Sequence, residues 1–280
     1  MSIINDGLAA KKQPAGPGRK IAFGRDTVLP WITTPLLLAL MILIWDSYVR
    51  ISAVSPFILP APRAVLEEWL LLIQSRRAWG HTGMTVYATL VGFGWAVLIG
   101  VSLGVAIARI RWLELTLNPF IVATQVIPKV ALVPLFIVWF GFGITSKVIV
   151  AGVLAFFPIL TNTVLGVKSI DDGHRDVMTS LNASRWQVFR RLELPSALPF
   201  ILTGFEVGIV LAIIGAIVGE YLGGSQGLGH MLIQTMNAFE TSVMFAVLIQ
   251  MSLIGFVFYF SIGFLKRFLI PWHATGSAKL

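Results

Sequence analysis

Long apolar runs, rather than narrow amphipathic stripes, set the pattern of this chain. Six of them, Val28–Trp45, Met84–Ile107, Leu117–Phe140, Val148–Val167, Leu198–Val218 and Ser242–Leu265, are about as long as a membrane-crossing helix requires. The expected fold is therefore an all-α membrane protein with about six transmembrane helices. Between the first two runs the pattern changes. After Phe57-Ile58-Leu59-Pro60-Ala61-Pro62, the residues Leu66, Trp69 and Leu70 recur at helical spacing while Glu67 and Glu68 fall elsewhere. That predicts a short amphipathic helix lying at the membrane interface.

The longest polar interruption runs from Lys168 to Pro195, between the fourth and fifth runs. Its pattern predicts two short helices joined by a sharp turn. Asp171 or Asp172 is placed to cap the first helix, which should extend to about Leu181. Asn182 follows, a residue that tolerates the left-handed conformation in which many helices stop. Ser184-Arg185-Trp186-Gln187 has the spacing of a capping box and opens the second helix. That helix brings Trp186, Phe189 and Leu192 together and is expected to end before Pro195. So much defined geometry in a loop between spans suggests a docking surface.

Composition agrees with the membrane reading. Of 280 residues, 56% are hydrophobic and 12% charged, half the charged share of an ordinary soluble domain. The net charge of +8 would suggest a nucleic-acid partner in a soluble protein, but here the charge follows topology and no nucleic acid is expected. Lys11, Lys12, Arg19, Lys20 and Arg25 precede the first span. Arg109, Arg111, Lys168, Arg175, Arg185, Arg190, Arg191, Lys266, Arg267 and Lys279 fall on the same side, against Arg50, Arg63, Arg76, Arg77 and Lys147 on the other. The positive-inside rule then puts both termini in the cytoplasm. The first run is too long for a signal-peptide core and lacks a clear cleavage site, so it reads as an uncleaved span.

Candidate chemistry within the spans is sparse. Lys129 lies inside the third run between Pro128 and Pro134, where prolines free backbone carbonyls that need a polar neighbour. It is either a pathway residue attractive to an anionic solute, or a lysine that snorkels outward or pairs across a dimer. Glu206 and Glu220 bracket the fifth span. Glu220 sits beside Gly223-Gly224-Ser225-Gln226-Gly227, where it either bonds free backbone amides or serves an external gate. Gly100 and Gly104 have the spacing that lets helices pack closely, within the subunit or across a dimer.

Leu222-Gly223-Gly224-Ser225-Gln226-Gly227 superficially resembles an ABC ATPase signature. No phosphate-loop motif G-x-x-x-x-G-K-[ST] accompanies it, and the topology puts it outside the cell. The chain has no cysteine, and His81, His174, His230 and His273 are scattered, so no metal site or nucleophile–base pair is expected. The chain reads as a transport subunit rather than an enzyme.

The polar loop also carries a family resemblance. Binding-protein-dependent ABC importers have in this position Glu-Ala-Ala, three residues, Gly, nine residues, then Ile-x-Leu-Pro. Here Asp176-Val177-Met178, three residues, Asn182, nine residues, and Leu192-Glu193-Leu194-Pro195 keep that spacing. Val177 and Met178 are bulkier than alanine, and Asn182 replaces glycine. The runs Ile127–Leu135, Trp139–Gly143 and Phe156–Thr163, then Gly219-Glu220 with Gly227-Leu228-Gly229, and Pro271-Trp272, resemble nitrate/sulfonate/taurine-type permeases.

The resemblance implies a type I ABC importer permease in the bacterial inner membrane, working as a homodimer. Its partners would be two cytoplasmic ATPase subunits, an external solute-binding protein and membrane lipid. The chain itself would bind no cofactor, since ATP and Mg belong to the ATPase. Asp176, Leu181, Asn182, Ala183, Ser184, Arg185, Trp186, Leu192, Leu194 and Pro195 would form the ATPase-coupling surface, and Pro128, Lys129, Pro134 and Glu220 the translocation path. Arg185, Arg190 and Arg191 either pair with acidic ATPase residues or are topogenic charge. The resulting organisation is a basic tail (1–27), a first span with its interfacial helix (28–80), a transmembrane domain (81–268) with the cytoplasmic loop 168–195, and a C-terminal tail (269–280). The solute would be small and anionic or polar organic. A self-contained secondary transporter or channel is the alternative. It is disfavoured because no internal repeat is evident and only one charge lies deep in a span.

Overall fold

The computed structural model describes residues 25–272, with side chains from Ile32 onward. Most of both terminal tails expected from the sequence lies outside the described residues. The chain divides after Leu43 into two units. The first contributes the N-terminal part of helix α1 (Arg25–Ile51), whose side chains from Ile32 to Leu43 are exposed. The remainder of the fold belongs to the second unit.

Three long helices form the centre of that unit: α3 (Arg76–Arg109), α6 (Ile144–Lys168) and α9 (Leu194–Gly223). Their shared core is built from small residues, with Ala88 and Ala96 of α3, Ala151 and Ala155 of α6, and Ala212 and Ala216 of α9 around Ile159. In a membrane, apolar area alone does not drive helices together, so close backbone approach must supply the packing. A Cβ on Gly92 would lie 2.7 Å from Val148 O, and one on Gly104 2.7 Å from the Thr163 Cβ. The Gly100–Gly104 spacing therefore serves α3–α6 packing inside this subunit.

The third apolar run is not one straight helix. Helix α4 (Arg111–Val126) and the segment Lys129–Phe140 meet at 88°. The segment opens with a single 3-10 turn, Lys129–Leu132, and continues as α5 (Val133–Phe140). Pro128 causes the break. A residue before proline avoids helical angles, and Ile127 accordingly adopts φ −70°, ψ 125°. Among the described residues, five helices are long and apolar enough to cross a membrane, or six if the bent pair is one span. The expectation of a continuous span over Leu117–Phe140 is corrected accordingly, and Lys129 lies at the break, in the first 3-10 turn after it, rather than within a long helix.

Helix α2 (Pro62–Gln74) is the short helix expected after Pro62, and it also packs inward. Val65 and Leu72 are buried and Trp69 is half-buried, its indole donating to Gln250 Oε1 at 3.2 Å on α11 (Thr241–Leu269). Leu66 and Leu70 are exposed. The helix has two adjacent apolar stripes, and the one at 65, 69 and 72 packs inward. Leu72 and Ala78 share a core with Ile213, Leu228, Val247 and Ile254.

Candidate functional site

Helix α7 (Asp172–Ser180) begins at Asp171, whose carboxylate accepts from Gly173 N at 2.7 Å. It ends in a pair of crossed hydrogen bonds, Ala183 N to Met178 O at 3.0 Å and Asn182 N to Thr179 O at 2.9 Å. This closure requires the residue between to be left-handed, and Asn182 has φ 55°. Two residues later the capping box forms as expected. Gln187 N donates to Ser184 Oγ at 3.3 Å and Ser184 N to Gln187 Oε1 at 2.7 Å. The turn is thus rigid through local bonds alone.

The surface it holds is apolar and open. Leu181 is 71% exposed and Trp186 65%, with the Trp186 ring 5.5 Å from that of Phe189. Asp176, Asn182, Ser184 and Arg185 are also exposed, while Ala183, Leu192 and Pro195 are half-buried. Arg185, Arg190 and Arg191 have no ion pair among the described residues.

The second helix does not stop before Pro195. Helix α8 (Arg185–Val188) passes through a π turn, Phe189–Glu193, directly into α9. Leu194 N donates to Phe189 O, five residues back. The extra residue in that turn widens the helix where Pro195 has no N–H to offer, so the proline is carried at the first turn of α9. The turn also directs Glu193 inward. Its buried carboxylate pairs with Arg109 at the end of α3 and with Arg175 of α7 at 3.4 Å. The Arg109 guanidinium lies 5.2 Å from the Phe189 ring centroid. Nearby, Glu114 of α4 pairs with Lys168 of α6 and with Arg111. Lys266 bonds Glu206 at 2.9 Å and Thr203 at 3.1 Å, tying α11 to α9. Several basic residues expected as topogenic charge are therefore also internal struts.

A second polar cluster lies at the far end of α9. Glu220 has no exposed surface. The Thr85 hydroxyl of α3 lies 2.9 and 2.8 Å from its two carboxylate oxygens, and Gly229 N donates to it at 3.0 Å. Leu228 N bonds Thr85 Oγ1 at 2.9 Å, and Gly227 N bonds His81 Nδ1 at 3.0 Å. Lys147, at the start of α6, is 3% exposed and donates to Gln226 O at 2.5 Å. Together these bonds pin the glycine turn and helix α10 (Leu228–Asn237) onto α3, α6 and α9. Gly227 has φ 113°, and a Cβ there would collide with the Glu220 carboxylate.

This is the backbone-bonding arrangement weighed for Glu220. In this conformation Glu220 is fully buried, and Lys147 is not a free surface charge. An adjacent depression of about 380 Å³ is lined instead by Arg77, Gly80, His81, Ser225, Gln226 and Gln234.

Of the other path candidates, Pro128 and Pro134 are exposed, and half-buried Lys129 holds its ammonium 5.0 Å from the Phe157 ring centroid. Glu193, Arg109, Thr85 and Lys147 were not picked out by sequence reasoning. Only the polarity of Thr85 within an apolar run and the charge of Glu193 between two leucines hinted at them.

Among the described residues the fold is all-helical, with five or six membrane-length helices and a capped polar elbow between two of them, which defines a multi-pass membrane protein. Residues 96–272 match the family described as binding-protein-dependent transport system inner membrane component, and the chain belongs to that family. The riboflavin transport system permease protein RibX of Chloroflexus aurantiacus is 40% identical over 88% of this chain and 92% of its own length. The formylaminopyrimidine transport permease protein ThiX of Halalkalibacterium halodurans is 35% identical over 85% and 95%. A putative aliphatic sulfonates transport permease protein, SsuC of Bacillus subtilis, is 31% identical over 91% and 90%. Among solved structures, a chain of the inward-facing MetNI methionine ABC transporter has TM-score 0.57 at 19% identity, covering 68% of this chain and 94% of its own. That places the chain in the type I ABC importer permease fold. It is a multi-pass inner-membrane permease component of an ABC importer.

Proposed function

We propose that this permease works as a homodimer, takes its solute from an external binding protein, and is driven by cytoplasmic ATPase subunits docked on residues 171–195. The observation that carries this reading is the elbow. Local bonds fix it, Leu181 and Trp186 stand exposed on it, and the wider chain belongs to a binding-protein-dependent family. ATP and Mg would be bound by the ATPase, and both termini would lie in the cytoplasm, as the distribution of basic residues supports. Apolar side chains along α1 and α11 would face lipid.

The solute we propose is a small polar nitrogen heterocycle. The relatives named for riboflavin and formylaminopyrimidine are 40% and 35% identical, above the sulfonate relative at 31%. Lys129, at the break in the third run, would stand beside the path. Closure of two ATPases would draw the paired elbows together and switch the path between inward- and outward-facing states.

The test is uptake into proteoliposomes containing the permease and its ATPase, with binding protein outside. ATP-dependent accumulation of a flavin or pyrimidine, together with cross-linking of Leu181→Cys to the ATPase, supports the proposal. Uptake that runs on an ion gradient without ATP, or an elbow that never cross-links, overturns it.

A further inference from the structure

We propose that Glu193 is a positioning residue, the strut through which displacement of the 171–183 elbow reaches helix α3. This inference rests on the docking reading of that elbow. Helix α7 buries no residue and only Met178 among its apolar side chains is half-buried, so apolar packing gives it a weak grip on the bundle. Arg175 of α7 instead reaches the buried Glu193 carboxylate at 3.4 Å. The same carboxylate is held by Arg109, in the last turn of α3. One acid therefore joins three elements: the elbow, the π turn leading into α9, and the end of α3.

Two further features suit this role. The Glu193 side chain is only 11% exposed, so its pairs are less screened than surface pairs, and removing a partner leaves a costly unpaired charge. Arg109 also lies over the Phe189 ring, 5.2 Å from its centroid, a second contact that limits where the guanidinium can move. The π turn itself interrupts the regular hydrogen-bond ladder between α8 and α9, which makes it the place where the two helices can move relative to each other. Without the strut, elbow motion would be absorbed at Phe189–Glu193. With it, the motion is shared with α3, whose packing on α6 and α9 forms the core of the bundle.

The test uses the complete transporter, permease with ATPase and binding protein, in proteoliposomes. Glu193→Gln, Arg109→Gln and the double variant are compared for solute transported per ATP hydrolysed. Each single variant should lower that ratio roughly tenfold while hydrolysis stays within about twofold of wild type, and the double variant should lose no more than either single. Arg175→Gln, which cuts the elbow from Glu193 while leaving the Arg109–Glu193 pair intact, should lower the ratio as much as Arg109→Gln and serves if Glu193→Gln does not fold.

An unchanged ratio, a parallel fall in transport and hydrolysis, or additive losses in the double variant overturn the strut. Cross-linking of Leu181→Cys to the ATPase in the same preparations separates the two ideas. If it persists while the ratio is unchanged, only the strut falls. If it never forms, the docking reading falls as well.

Discussion

The Thr85 hydroxyl lies 2.8 Å from a Glu220 carboxylate oxygen, although 135 positions separate the two residues and Glu220 has no exposed surface. The same hydroxyl accepts from Leu228 N, so one small side chain satisfies a buried acid and a buried amide together. In an apolar interior, each would be expensive to leave unpaired. Thr85 thereby fastens the turn after α9 to the helix that carries it.

Replacing Thr85 by valine keeps the volume and removes both bonds. A loss of about 2–3 kcal/mol of stability is expected. Glu220→Gln should cost less, because an amide can still accept from Gly229 N. Thermal unfolding of the two purified variants in the same detergent checks the order. A Thr85→Val protein as stable as wild type would show that Thr85 does not support the turn.

Gly227 should tolerate no side chain. Its φ of 113° is unfavourable for any L-residue, and a Cβ would strike the Glu220 carboxylate. Gly227→Ala is expected to lower the unfolding temperature and the yield of folded protein. Gly80→Ala, where nothing lies within 4 Å of the added carbon, should leave both unchanged.

Lys147 holds the turn from the other side through Gln226 O at 2.5 Å. Lys147→Met removes a charge-assisted bond of about 1.5–3 kcal/mol. A cysteine at buried Leu228 should then react with a membrane-impermeant maleimide roughly tenfold faster, as the turn opens more often. If the sole effect were a change in membrane orientation, Lys147 would be acting as topogenic charge alone.

Asn182 permits a direct test of the elbow. Asn182→Gly keeps the left-handed angle and should preserve ATP-driven uptake. Asn182→Val places a β-branched residue at φ 55° and should cost the turn about 1–2 kcal/mol. The expected result is loss of ATPase co-purification while the bundle stays folded. Retained co-purification would mean that turn geometry is not what the ATPase reads.

Lys129 separates a path residue from a snorkelling one. Lys129→Ala should lower uptake about tenfold, the loss expected for one charged hydrogen bond to solute, and Lys129→Arg should recover part of it. Unchanged uptake in the alanine variant removes Lys129 from the path.

The elbow was readable because its determinants are local. The Asp171 cap, the left-handed Asn182 and the Ser184–Gln187 box each form within a few residues, and the structure contains all three. Pro195 misled for the opposite reason. Proline usually ends a helix, but the π turn before it supplied the space, and nothing in the local pattern announces a π turn. The bend at Ile127-Pro128 was half legible: the prolines marked a disturbed backbone, while its angle of 88° was not predictable from them.

What the sequence determined alone was whatever depends on solvent and near neighbours. Apolar run lengths specified a multi-span helical protein, because unpaired backbone is prohibitively costly in lipid. Cap residues specified the elbow, and motif spacing pointed to the family. Tertiary structure decided the partners of the charges: Glu193 with Arg109 and Arg175, Glu206 with Lys266, Glu220 with Thr85, and Lys147 with the Gln226 carbonyl. A charge's partner depends on which helix faces which, and the register of α3, α6 and α9 is set by small residues meeting at contact distance. That register exists only once all three helices are packed.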